Sequence, residues 1–241
     1  MSQAHRVFRD HGIKEVVKQS LRYFKDCYLI VPFGPIVSRS FLNARDKTKD
    51  LGDYLDLAYS WSSLGFNIKP LTVRSEIAKF LDMVSRRPPM NRILEIGTAN
   101  GGTLYLLGMV SFGGQMISVD VRNNHNRARI LFKHFTYGNI YVHNGSSHDP
   151  YTKDFVQYLL VPELLDLLFI DGDHSYEGVK KDFEMYSPLV KKGGIIALDD
   201  CSPCKYSEVS RFWNEIKDNY QSMILEDVSK EGCGGIGVIF V

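Results

Sequence analysis

The chain has 241 residues, 44% hydrophobic and 24% charged, with a net charge of +1. That length fits one large domain, or one domain with an extension, and the composition is ordinary for a soluble globular protein. A near-neutral balance gives no electrostatic case for nucleic acid as a partner, and four cysteines do not build a disulfide framework. The first twenty residues are polar and charged, without a signal-peptide pattern. The apolar stretch over 27–37 carries Pro32, Gly34 and Pro35 and falls short of the roughly 20 apolar residues a bilayer span needs. A reducing, cytoplasmic setting is the expectation.

Residues 1–70 do not resemble the rest. The run IKEVVKQSLRYFKDCYLI is helix-prone, and a second helix is expected near 53–64. This helical extension reads as a cap over the following domain or as a contact in a homo-oligomer. A membrane-surface role competes, because Lys14, Lys18, Arg22 and Lys25 accompany Val16, Val17, Leu21 and Phe24. Most amphipathic helices face a core, which favours the first role.

From about Leu71 the pattern alternates. Val73, Ile77, Phe80, Leu81 and Val84 recur at helical spacing before Pro88 and Pro89. ILEIG (93–97), MISVD (116–120), NIYVH (139–143), LDLLFID (165–171) and GGIIALDD (193–200) read as strands. Helices are expected between them, from Gly101 through Leu107, over 127–135 and over 154–160. Another carries Tyr176, Val179, Phe183, Tyr186 and Val190 on one face. A helix over 209–220 precedes two last strands, MILEDV (223–228) and GIGVIFV (235–241). The glycines between them suit an antiparallel hairpin. The sum is an α/β domain over 71–241, a Rossmann-like doubly wound sheet ending in a hairpin.

Chemistry gathers at strand ends. LDLLFID closes on Asp171 and GGIIALDD closes on Asp199 and Asp200. In an open α/β sheet, ligands bind beyond the carboxyl ends of the strands. Three carboxylates delivered there suit Mg²⁺, Mn²⁺ or Ca²⁺ rather than a soft metal. Upstream, Glu95-Ile96-Gly97-Thr98-Ala99-Asn100-Gly101 has Gly-x-x-x-Gly spacing, not the dinucleotide Gly-x-Gly-x-x-Gly. A carboxylate before the turn would repel phosphate and attract a cationic ligand. Asp120 ends the next strand, where an acid can accept both ribose hydroxyls. A nucleoside with a positive centre and no phosphate describes S-adenosylmethionine. The bland readings are an ordinary strand–turn–helix for the glycine turn and a turn or cap role for Asp199–Asp200 and for His174. His143 and His148 read as strand-end and loop residues, Asp173 as a cap. Cys201 and Cys204 form a Cys-x-x-Cys without a second pair, which argues against zinc.

The segments EIGTANGG, SVD, FIDGDHSYEGVKKDF and LVKKGGIIALDD resemble the class I S-adenosylmethionine-dependent methyltransferases. Within that class the chain is most similar to the metal-dependent macrolide-sugar O-methyltransferases and the cephalosporin-hydroxylase-like group. The resemblance covers about residues 71–241. It implies that Glu95, Gly97, Thr98, Ala99 and Gly101 line the methionine part of the cofactor. Asp120 would bind ribose, Val121 would pack near adenine, and Ser146 and Ser147 would reach the adenine edge. Asp171, Asp199 and Asp200 would ligate Mg²⁺ or Mn²⁺, with His174 as general base. The Asp–Asp pair is a departure, since some relatives carry Glu or Asn at one of those positions. The implied reaction is methyl transfer to a hydroxyl of a small molecule such as a sugar. Two rivals stand beside it: an NAD-dependent dehydrogenase, against which the glycine spacing argues, and a non-catalytic methyltransferase-like binding module, against which the acidic triad argues.

Overall fold

The computed structural model describes residues 33–111, 114–121, 131, 134, 138–202, 208–227 and 234–241. The amphipathic run over 14–25, most of the helix expected over 127–135, and Cys204 lie outside the described residues.

The described chain begins with α1 (Gly34–Arg45) and α2 (Leu51–Ser60). Pro35 sits in the first turn of α1, where its missing N–H leaves nothing unpaired. Asp50 caps α2 by accepting from the Asp53 N–H at 3.0 Å. A small hairpin follows, β1 (Ser62–Ser63) and β2 (Phe66–Asn67), turning at Leu64 and Gly65. Two-residue strands carry no alternation, so no sequence pattern announces them. Next comes α3 (Arg74–Ser85), with Ile77, Phe80, Leu81 and Val84 buried.

The alternating part runs β3 (Arg92–Ile96), α4 (Gly102–Val110), β4 (Gln115–Asp120), β5 (Ile140–Asn144), α5 (Pro150–Leu160) and β6 (Leu165–Ile170). It continues with α6 (Tyr176–Tyr186), β7 (Val190–Leu198), α7 (Glu208–Ile216), β8 (Gln221–Leu225) and β9 (Ile236–Phe240). The seven expected strands form one sheet in the order β5-β4-β3-β6-β7-β9-β8. The first five are parallel, and β9 enters antiparallel between β7 and β8. This is a Rossmann-like sheet with a C-terminal antiparallel pair. The continuous apolar runs have their cause here: β6 is buried at every position because helices cover both faces.

Alternate residues feed two cores. Ile93, Leu167, Phe169, Ile195 and Ala197 pack with α3 and α4, while Leu94, Ile96, Leu168, Ile170 and Ile196 pack with α5, α6 and α7. The chain winds outward from β3 through β4 to β5, then returns to β6 on the other side of β3. That reversal opens a crevice above the carboxyl ends of β3 and β6.

The described part of the extension is built into the first core. Val37, Phe41, Leu55, Leu57, Ala58, Phe66 and Ile68 are buried in the same cluster as α3, α4 and the sheet. Phe41 meets Trp61 and Tyr105 edge-on, at centroid distances of 5.2 and 5.6 Å. All of α4 is buried: α2 and α3 pack against it, Phe41 of α1 meets its Tyr105, and it shares the core with the sheet. This explains a helix with no polar face. The boundary that composition draws near residue 70 therefore runs, in space, through one hydrophobic core.

Candidate active site

The turn after β3 is shaped by what its backbone must approach. Gly97 has φ +91°, and a Cβ there would lie 1.7 Å from the Asp171 carbonyl oxygen. Only glycine lets the end of β3 sit this close to the end of β6. The Gly97 N–H donates to the Val119 carbonyl at 2.8 Å, and Gly101, in the left-handed region, precedes α4. The Thr98 and Ser118 hydroxyls meet at 2.5 Å. Ala99, at φ 45°, donates its N–H to Asp120 Oδ2 at 2.8 Å. That bond sets the orientation of the Asp120 carboxylate at the end of β4. A strained non-glycine residue held by its neighbours is typical of a ligand-binding loop.

Glu95 is fully buried, and neither carboxylate oxygen has a hydrogen-bond partner of ordinary geometry. Burial holds its carboxyl well above the usual range, and the nearby Thr98 hydroxyl offsets this only in part. Such a group is costly unless a cation or a proton meets it.

On the other side of β3, the Asp171 N–H continues the ladder to the Ile96 carbonyl at 2.8 Å, and the Asp199 N–H does so to Ile170 at 3.0 Å. These bonds bring Asp171, Asp199 and Asp200 to adjacent strand ends. Asp200 lies in the left-handed region, φ 61°. His174 stands between two of the acids: Nε2 is 3.1 Å from Asp171 Oδ1 and Nδ1 is 2.8 Å from Asp200 Oδ2. Hydrogen bonds to Asp171 first, and then to Asp200, push its pKa up to about 10. The ordinary value near 6.5, on which a neutral histidine base depends, does not apply to this arrangement. With a carboxylate oxygen facing each ring nitrogen, the arrangement favours the charged imidazole, which would give both N–H groups to the acids. Asp199 accepts from the Thr72 hydroxyl at 2.9 Å through Oδ2, while its Oδ1 is buried without a partner. Burial, then the charges of Asp171 and Asp200, hold the Asp199 carboxyl well above the usual range.

These groups share one cleft of about 560 Å³. Asp120, Val121, Ser146 and Ser147 line it beyond β4 and β5, Asp171, His174, Asp199 and Asp200 beyond β6 and β7, and Gly97 and Ala99 in the turn after β3 lie between them. Glu95, Thr98 and Gly101 do not line it; they support the turn from beneath. Val121 is exposed at the rim. Hard oxygen donors and the bare Asp199 Oδ1 fit a divalent cation in kind. Asp171 and Asp200 are engaged by His174, and among the described residues no three acidic, histidine or cysteine side chains are arranged around a common metal position.

Three participants escaped the sequence reading. Leu71 lines the cleft, and Thr72 beside it reaches Asp199. Asp182, fully buried on α6, lies 3.2 Å from His148 Nε2, and His148 lines the cleft next to Ser147. Asp182 follows Gly178 by four residues on α6, a spacing that could have placed it near the strand ends. His143 meets Thr152 at 3.0 Å, and Asp173 accepts from the Ser175 N–H at 2.9 Å, ordinary strand-end and capping roles.

A doubly wound sheet with this strand order, a glycine turn after its first long strand and an acid after the next defines the class I methyltransferase fold. Residues 94–201 match the family described as methyltransferase domain. An uncharacterized protein of Acanthamoeba polyphaga mimivirus is 33% identical over 117 residues, which is 47% of this chain and 53% of that protein. The chain thus spans about half the length of that relative. An O-methyltransferase from Streptomyces achromogenes involved in tomaymycin synthesis, solved with S-adenosylmethionine, shares 16% identity over 85% of this chain and 96% of its own, with a TM-score of 0.52. An O-methyltransferase from Bacillus cereus, solved with S-adenosylhomocysteine, shares 19% identity over 86% and 100%, with a TM-score of 0.51. At these identities the likeness to the solved structures is one of fold.

Proposed function

We propose that this chain transfers a methyl group from S-adenosylmethionine to a hydroxyl of a small molecule, with Mg²⁺ or Mn²⁺ at the acceptor end of the cleft. The observation that carries this reading is the single cleft with Asp120 at one end and Asp171, Asp199 and Asp200 at the other. Its volume of about 560 Å³ lies within the ordinary range for small-molecule sites. The methyltransferase-domain match and the fold support the reaction class.

S-adenosylmethionine supplies an electrophilic methyl on a sulfonium sulfur. Asp120, oriented by Ala99, is placed to accept from ribose hydroxyls. Glu95, buried beneath the turn, favours its neutral form when alone, and a cationic methionine end above it would favour the ionised form. Asp171, Asp199 and Asp200 would hold the divalent cation, which supplies Lewis acidity to the acceptor hydroxyl. His174 holds a proton between Asp171 and Asp200, and it can accept the acceptor's proton only after one carboxylate lets go and the ring has lost its own. Positioning of the two reactants supplies much of the remaining rate. A sugar hydroxyl is the first acceptor class to screen.

Calorimetry tests the cofactor. Wild type binds S-adenosylhomocysteine and not NAD. Asp120→Ala weakens that binding by about 1.5–3 kcal/mol, the scale of hydrogen bonds to a charged group. Unchanged affinity in the variant takes Asp120 out of the site, and binding of NAD in place of S-adenosylhomocysteine overturns the reading.

A further inference from the structure

The turn between β5 and α5 lines the cleft through Gly145, Ser146, Ser147 and His148. Its first part is tied to the sheet, since the Gly145 N–H donates to the Asp120 carbonyl at 3.0 Å. Its last part folds on itself: the His148 N–H donates to the Ser146 hydroxyl at 3.2 Å and the Asp149 N–H to the Ser146 carbonyl at 3.1 Å. The middle is held from α6. The hydroxyl of the fully buried Tyr186 donates to the Ser147 carbonyl at 2.7 Å. One turn earlier on the same face of α6, Asp182 is also fully buried, with Oδ1 3.2 Å from His148 Nε2. Neither Asp182 oxygen has a hydrogen-bond partner of ordinary geometry. Burial pushes its carboxyl up, and the Ser147 hydroxyl and the charge of His148 draw it back in part. Its Oδ2 fills the space under Gly172, where an added Cβ would come within 3.1 Å. A buried charged group is a poor stabiliser beside apolar packing, so fold stability alone gives little reason for an acid at this position.

Location decides what such an acid can position. With ribose at Asp120 and the reactive methyl toward the acids of β6 and β7, the base of the cofactor meets the remaining lining, Val121 and the Ser146–His148 turn. Val121 is apolar and exposed, which suits the face of a ring. The turn offers hydroxyls and backbone groups, which suit a polar edge. Holding the turn in one shape before the ligand arrives lowers the cost of binding. We infer that Asp182 and Tyr186 are positioning residues: from α6 they hold the Ser147–His148 turn in the shape that recognises the amino edge of the cofactor's base. This rests on the cofactor reading proposed above.

The test is calorimetric titration of the full chain with S-adenosylhomocysteine and with S-inosylhomocysteine, whose base carries an oxygen in place of the amino group. Wild type prefers the adenine compound by about fivefold or more, the scale of one hydrogen bond. Asp182→Leu keeps roughly the shape and removes both acceptor oxygens; Tyr186→Phe removes only the hydroxyl. Each binds S-adenosylhomocysteine about fivefold more weakly or worse, and its preference for adenine drops below about twofold. Phe183→Leu is the control for general loosening of α6, because Phe183 faces Phe212 of α7 at a centroid distance of 5.6 Å. It melts lower and keeps the wild-type preference. If Asp182→Leu does not fold, Tyr186→Phe decides by the same criterion. A folded Asp182→Leu or a Tyr186→Phe that keeps the wild-type preference overturns the inference. So does a Phe183→Leu variant that loses the preference to the same extent, or a wild type that binds both compounds equally. A wild type that binds neither compound overturns the cofactor reading, and the inference falls with it.

Discussion

Replacing Gly97 by alanine separates two costs that usually come together. A methyl there would lie 1.7 Å from the Asp171 carbonyl oxygen and 2.4 Å from the carbonyl carbon, at a φ of +91°. Gly193 provides the control: its φ is +80°, but nothing lies within 4 Å of the added Cβ. Left-handed backbone costs an L-residue about 1–2 kcal/mol at either position. At Gly97 the Asp171 carbonyl must also retreat by more than about 1 Å, against a ladder bond that ties the Asp171 N–H to Ile96 at 2.8 Å. Overpacking of that kind adds about 1–3 kcal/mol. For a chain of this size, Gly97→Ala then melts roughly 4–20 °C below wild type and Gly193→Ala roughly 2–8 °C below, with Gly97→Ala the lower of the two, read by thermal unfolding. The displaced carbonyl belongs to Asp171 and the strained turn to the cofactor end. S-adenosylhomocysteine affinity accordingly falls about tenfold or more in Gly97→Ala and is unchanged in Gly193→Ala. Equal melting temperatures for the two variants, with equal affinity, would refute the claim that the close approach of β3 to β6 requires glycine.

Glu95 makes stability depend on pH. Burial holds its carboxyl above the unfolded value of 4.5, so above that pH the folded chain binds more protons than the unfolded one. Its contribution to stability therefore falls as pH rises from 4.5 until the folded group itself ionises. Urea unfolding should show a smaller loss between about pH 5 and pH 8 in Glu95→Gln than in wild type, and equal slopes would remove Glu95 from the account. Phe41→Ala tests whether the extension shares the core: Phe41 is fully buried between Trp61 and Tyr105, and its loss costs about 3–5 kcal/mol. A loss below about 1 kcal/mol would mean that α1 packs too loosely to matter.

The sequence by itself determined the strands of the large sheet, most of the helices between them and the ends at which chemistry collects, but not α1 or the β1–β2 hairpin. Five strands were legible because buried parallel strands must be apolar throughout, the last two from the glycine turn between apolar runs, and α3 and α6 because one face repeats every three or four residues. Asp120, Asp171 and Asp199–Asp200 were legible because a charge that closes an apolar run marks a strand end. Tertiary structure alone decided the rest. The insertion of β9 between β7 and β8 is a choice of partner, which no local pattern encodes. The extension read as a cap by its helical pattern; that Val37, Phe41 and Leu57 are the residues it buries with the sheet is set by what arrives from elsewhere in the chain. His174 looked like an ordinary base by its type; its charge comes from lying between Asp171 and Asp200, and only the meeting of two strand ends puts it there. Thr72 carries no signal at all in its own neighbourhood. Its meaning is a hydrogen bond to a residue 127 positions away, formed because folding brings the segment before α3 against the end of β7. Local sequence reports periodicity over a few residues, whereas contacts between elements are set by packing, and the acceptor end of this cleft is made of such contacts.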